Sequence, residues 1–178
     1  MTPSILIICS HNQVRSVMAQ LLLQRALRDA GTRAVVRSAG FADGGRPAMP
    51  DAIRAMRNQQ LDATGHISTR VDADMVRSAD LVLTAERLHV IRLVEDDAEL
   101  FKKVFTLPEF VQRAQTTGPR AGRTMAAWLQ EVGGGRTHAT FLAARTPEIA
   151  DPTGLAPTMF TGTALRLDGW CRTIAELL

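Results

Sequence analysis

The feature that constrains this chain most is an abrupt change of pattern near its start. Ile5, Leu6, Ile7 and Ile8 form an unbroken β-branched and aliphatic run that stops at Cys9. Without polar alternation, such a run is expected of a central parallel strand covered on both faces. Ser10-His11-Asn12-Gln13-Val14-Arg15-Ser16 follows. Then Met18, Leu21, Leu22, Leu23, Ala26 and Leu27 recur at helical spacing, until Gly31 offers a left-handed stop. A thiol, a turn, an arginine and a hydroxyl are thereby placed between the carboxyl end of a strand and the amino end of a helix.

A helix start presents unpaired backbone N–H groups and the positive end of the macrodipole, so it attracts phosphate-like oxyanions and favours a thiolate. Five residues between Cys9 and Arg15 suffice for a loop that folds back on itself, sulfur at the bottom, guanidinium at the rim and N–H groups inward. The result is a nucleophile aimed at phosphorus. A buried core cysteine is the plainer reading of a lone thiol; the arginine at this spacing, the hydroxyl and the helix favour the first.

The stretch resembles the signature of the low-molecular-weight protein tyrosine phosphatases: a cysteine, five residues, an arginine and a serine or threonine near the N-terminus. The resemblance extends to Ser38-Ala39-Gly40, to Ala79-Asp80-Leu81-Val82-Leu83 and to Asp151-Pro152 before the last helix. It implies a cysteine-dependent phosphomonoester hydrolase that works through a cysteinyl-phosphate, with Cys9, Arg15 and Asp151 catalytic and Ser10, His11, Asn12, Gln13, Val14, Arg15 and Ser16 forming the phosphate-binding loop. By the same carry-over Asn12 braces the loop and Ser16 donates to the Cys9 sulfur. Phosphoester cleavage expels an alkoxide or phenoxide, and a carboxylic acid at Asp151 protonates it, then serves as base for the water that hydrolyses the intermediate.

Three departures from the family pattern stand out. His11 replaces a usual glycine and strains the turn if a positive φ is required there. His11 occurs instead in some arsenate reductases related to the family, so arsenate reduction with a small-molecule thiol is one alternative; a catalytically weak phosphate- or phosphoprotein-binding module is another. Val14 replaces a second cysteine. Of the aromatic side chains that flank the substrate ring in many members, Phe41 alone is available as a wall. The expected partner is a phosphotyrosine protein or a small phosphomonoester, with no metal or other cofactor.

The rest of the chain bounds the fold. At 178 residues and 46% apolar, it has enough material for one domain, 1–178, with a sizeable aliphatic core. The net charge of +3 is spread along the sequence, without a nucleic-acid signature. Two cysteines 162 positions apart fit neither a disulfide framework nor a zinc site. No stretch is long enough for a signal-peptide core or a membrane span, so a soluble, cytoplasmic protein is expected.

Ala34 to Gly40, Leu81 to Leu83 and Lys103 to Leu107 read as further strands. Helices are expected at Asp51 to Gln60, at Asp72 to Arg77, through Leu88, Ile91 and Val94, and after Pro108. Alternating strands and helices predict an α/β fold, a flavodoxin-like, doubly wound four-stranded parallel sheet with helices on both faces. The pattern weakens between about 115 and 147, a basic insertion with a possible helix at Met125 to Val132 and a Gly133-Gly134-Gly135 run. A mobile flap over the site and a solvated insertion are the two readings, the second preferred. By the family resemblance, His66, Ser68 and Arg70 lie in a stretch where polar residues often support the loop, while His89 and His138 read as surface residues. Phe160, Ala164, Leu167, Cys171, Ile174 and Leu178 mark the buried stripe of the last helix, which makes Cys171 a core residue.

Overall fold

The computed structural model describes residues 2–95 and 97–178. The apolar run becomes strand β1 (Ser4–Cys9), followed by helix α1 (Arg15–Asp29) and β2 (Val35–Gly40). Then come α2 (Pro50–Asn58), α3 (Ala73–Ser78), β3 (Leu81–Thr84), α4 (Arg87–Val94), β4 (Val104–Thr106) and α5 (Leu107–Thr117). The chain ends with α6 (Met125–Val132), α7 (His138–Ala143) and α8 (Pro157–Leu177). The sheet order is β2-β1-β3-β4, all pairings parallel.

Burial on both faces explains the unbroken apolar composition of β1. Ile5, Ile7 and Cys9 enter one core with α1, α2, α5, α6 and α8. Leu6 and Ile8 enter the other, with Val76, Val90, Phe101 and Phe141. The predicted α8 stripe packs in the first of these cores, with Phe160, Ala164, Leu167, Cys171 and Ile174 all buried and Leu178 partly so. Burial pushes the Cys171 thiol up, and its Sγ rests on the Ala19 carbonyl at 3.6 Å. From β1 the chain passes to β2 on one side and later to β3 on the other, so Cys9 ends its strand at the topological switch point, where ligands of such sheets bind.

Two expectations need correction. The fourth strand stops at Thr106, one residue early, because the Thr106 hydroxyl and the Glu109 carboxylate form a capping box that starts α5. The segment from about 115 to 147 is not a solvated insertion. Trp128 is fully buried, Val132 and Phe141 nearly so, and α7 was not visible in the sequence pattern. Its arginines act as clasps: the Arg136 side chain, only 2% exposed, pairs with Glu109 and donates to the Phe101 and Val104 carbonyls. Its guanidinium also lies over the rings of Phe101, Phe105 and Phe141. Arg120 holds the Leu178 carbonyl, and Arg113 reaches Val132. Among the described residues no helix is long and apolar enough to cross a membrane.

Candidate active site

The turn after β1 wraps its sulfur. Cys9 is buried, and its Sγ meets the Asn12 backbone N–H at 3.3 Å and the Ser16 hydroxyl at 3.1 Å. The Asn12 amide donates to Ser16 Oγ at 2.9 Å, which leaves the Ser16 hydrogen free to point at the sulfur. The positive φ of the loop falls on Asn12, at 55°, and not on His11. Asparagine tolerates that conformation far better than most residues. His11 therefore stands exposed at the mouth without backbone strain.

Asn12 is held from every side. Its amide nitrogen also donates to Ser38 Oγ at 2.8 Å, its side-chain oxygen accepts from the Thr69 N–H at 2.9 Å, and its carbonyl contacts His66 Nε2 at 2.7 Å. The stretch whose supporting role the sequence left unaligned thus braces the loop through His66 and Thr69, while Ser68 ties down the following loop at Arg46. Gly40 explains Ser38-Ala39-Gly40. A Cβ there lies 2.6 Å from the Asn12 nitrogen and 2.8 Å from the His11 carbonyl carbon, both backbone atoms that cannot swing aside. Gly40→Ala is expected to cost about 1–3 kcal/mol of stability, as overpacking does. It should also weaken phosphate binding; urea unfolding and phosphate titration check both.

Arg15 forms the wall. Its side chain is only 2% exposed, and its nitrogens are divided among fixed partners. Nη1 donates to Glu86 Oε1 and to the Ile149 carbonyl, whereas Nη2 is shared by Ser10 Oγ at 3.3 Å and Asp151 Oδ2 at 2.6 Å. Nη1 is thus anchored, and an incoming anion can take the Nη2 hydrogen held by Asp151 as well as the Nε–H, which is not engaged by these contacts. α1 starts at Arg15 with no side-chain cap, so its first N–H groups remain available too.

Asp151 arrives from the far end of the chain on a strap tied to the ends of β3 and β4. The Ile149 N–H donates to Ala85, the Thr106 hydroxyl to Pro147, and the Arg87 N–H to Glu148 Oε1. Partial burial pushes the Asp151 carboxyl upward, but hydrogen bonds from Thr153 and the charges of Arg15 and His11 outweigh it and hold the group below the usual carboxylate range. Cys9, Arg15 and Asp151 line one cavity of about 260 Å³ together with His11, Gln13, Val14, Arg46, Met49 and Thr153. Phe41 is not among these residues. Its ring packs on His89, with the Arg92 guanidinium 4.3 Å from its centroid. A larger hollow of about 730 Å³ lies along β1 and β2 and lacks the cysteine.

His89 is not a surface residue. It is 3% exposed and takes its place beside the loop, with Nε2 3.2 Å from Ser10 Oγ. Burial pushes its pKa down to about 4, aided by Arg15 and Arg92 and opposed by Glu86. Sequence reasoning missed Glu86 and His89. The signal available was their spacing, an acid and a histidine three apart at a helix start directly after β3. Among the described residues no cluster of His, Cys, Asp and Glu is arranged to hold a metal ion.

The model of the low molecular weight phosphotyrosine protein phosphatases matches residues 4–119, which takes in the cysteine loop, the whole sheet and Glu86. The chain belongs to this family. Among curated relatives of this phosphatase, the protein-arginine-phosphatase of Bacillus subtilis (strain 168) is 34% identical over 108 residues, which is 60% of this chain and 71% of that one. The low molecular weight protein-tyrosine-phosphatase Wzb of Escherichia coli (strain K12) is 31% identical over 131 residues, covering 70% and 84%. The fold matches a crystal structure of a YwlE mutant from Bacillus subtilis with a TM-score of 0.76 at 24% identity, over 98% of this chain and 97% of that one. The phosphatase model ends at 119, so Asp151 and its strap lie beyond the matched segment.

Proposed function

We propose that residues 1–178 form a single catalytic unit that removes phosphate from phosphotyrosine in proteins, in the cytoplasm, where a free nucleophilic thiol stays reduced. The observation that carries this reading is the convergence of the Cys9 sulfur, the Arg15 guanidinium and the Asp151 carboxyl on one small cavity. The Cys9 sulfur attacks phosphorus, so that an S–P bond forms as the P–O bond to the leaving group breaks. Arg15 and the loop N–H groups hold the equatorial oxygens, which become more negative toward the transition state. Asp151 gives its proton to the departing oxygen. Its carboxylate then takes one from water as the water oxygen bonds to phosphorus and the S–P bond breaks. Ser16 and the Asn12 N–H receive the sulfur as it leaves.

The ion pair between Arg15 and Asp151 sets the order of events. In the free protein Asp151 is an ionised partner of Arg15, which a general acid cannot be. A bound dianion takes over the Nη2 hydrogen and places negative charge beside the carboxylate, and both changes raise its proton affinity. Without an aromatic wall, the Met49 thioether is the apolar surface for a substrate ring, a contact that sulfur makes well. The phosphotyrosine reading draws support from Wzb, named as a protein-tyrosine-phosphatase, while the protein-arginine-phosphatase supports action on phosphoproteins more broadly.

Asp151→Asn tests the acid. Turnover of para-nitrophenyl phosphate is expected to fall about a hundredfold, and the alkaline limb of the kcat profile should disappear. Inorganic phosphate should inhibit the variant at least as tightly as wild type, because the carboxylate no longer competes for Arg15. An unchanged kcat removes Asp151 from the mechanism.

A further inference from the structure

Within this phosphatase reading, His89 is a buried titratable group that the chemistry leaves unused. Its surroundings fix its proton. The Glu86 backbone N–H, which can only donate, points at Nδ1 from 3.2 Å, so the ring hydrogen belongs on Nε2. Nε2 then donates to Ser10 Oγ. The same oxygen accepts from Arg15 Nη2, so Ser10 stands between the imidazole and the guanidinium. Phe41 packs on the imidazole, ring centroids 5.2 Å apart, and the Arg92 guanidinium in turn lies over Phe41.

We propose that His89 is a positioning residue of the phosphatase site: it fixes the Ser10 hydroxyl, and Ser10 holds the Nη2 edge of Arg15 where the substrate dianion must displace Asp151. Two anchors then define the guanidinium plane. Glu86 and the Ile149 carbonyl hold Nη1, and the relay from His89 through Ser10 holds Nη2 while its other partner is exchanged. A neutral donor suits this place. Arg15 already faces Glu86 and Asp151, and a third carboxylate would compete with the incoming phosphate, whereas imidazole adds a fixed hydrogen bond and no negative charge. Burial keeps the ring neutral through the physiological range. In this account Phe41 supports the site from behind, as the surface on which the ring rests.

The test is a double-mutant cycle on the full chain, with inhibition by inorganic phosphate, kcat and KM for para-nitrophenyl phosphate, and thermal unfolding as readouts. Ser10→Ala and His89→Ala should each weaken phosphate binding and lower kcat/KM by about three- to tenfold, the value of one net hydrogen bond. The double variant should be no worse than the poorer single one, because His89 acts only through Ser10. His89→Gln, whose amide nitrogen reaches the Nε2 position, should restore the phosphate affinity lost in His89→Ala. Losses that multiply in the double variant overturn the relay, as does His89→Ala with a lower melting temperature but wild-type phosphate inhibition. Should His89→Ala fail to fold, Ser10→Ala decides: weakened phosphate binding beside a normal His89→Gln supports the relay, and wild-type binding overturns it. A wild type that neither turns over substrate nor binds phosphate sinks the phosphatase reading itself; normal wild-type turnover with unmoved variants sinks only the relay.

Discussion

Cys9→Ser is expected to lose turnover by at least about 10⁴-fold while keeping the fold and the anion site, because the variant removes the nucleophile and nothing else. Serine is close in size, and the Asn12 N–H and Ser16 hydroxyl that face the sulfur will bond an oxygen equally well. Core packing around the strand end changes little, so circular dichroism and urea unfolding should match wild type. Phosphate binding, measured by titration calorimetry, should survive. Turnover within tenfold of wild type would mean that another group attacks phosphorus, and the account of the cavity would fail.

Arg15→Lys should be nearly as severe, with kcat lowered about a thousandfold, the scale for losing a preorganised charge-stabilising donor in a water-excluded site. Lysine keeps the charge but not the shape. The guanidinium reaches Glu86 and the Ile149 carbonyl from one nitrogen, and Ser10 and Asp151 from the other. An ammonium is a point charge that cannot hold this set and still offer a planar fork to an oxyanion. Arg15→Ala goes further and leaves Glu86 without its buried partner. Glu86 is 31% exposed and water can solvate it, so the cost is that of the lost charge-assisted hydrogen bonds, about 1.5–3 kcal/mol, and stability should fall along with activity. Phosphate inhibition and urea unfolding of the two variants separate the effects: lysine loses catalysis with modest loss of stability, alanine loses both. Full kcat in Arg15→Lys would show that the fork is not used.

These effects were legible in the sequence to different depths, and the reason is physical. The strand, the loop and α1 are local objects. An apolar run, seven polar and small residues and a helical stripe announce themselves within one window, and Cys9, Arg15 and Ser16 came with them. Asp151 is reached only through the family resemblance, by its place before the last helix, since nothing in Asp-Pro alone distinguishes it from a turn. Glu86 and His89 stayed hidden because their partners are 71 and 79 residues away, and an acid and a histidine at a helix start look like capping and solvation. His89 is polar on a short helix, which is why it read as exposed; its burial comes from Phe41 and the loop, which sequence periodicity does not bring together. Gly40 could be associated with the site but not explained, since the need for glycine arises only when β2 ends against the backbone of Asn12. The segment from 115 to 147 misled for a related reason. Arginine-rich and glycine-rich stretches look solvated, yet Arg136 is satisfied by Glu109, two carbonyls and three aromatic rings supplied by other elements.

The central claim is that phosphate passes through a covalent bond to Cys9. Rapid acid quench of wild type and Asp151→Asn during turnover of para-nitrophenyl phosphate, followed by intact-mass and peptide analysis, tests it directly. The account predicts one added phosphoryl group per chain, located on Cys9. Turnover at a normal rate with no phosphorylated Cys9 at any quench time, and no burst of nitrophenol, would contradict it.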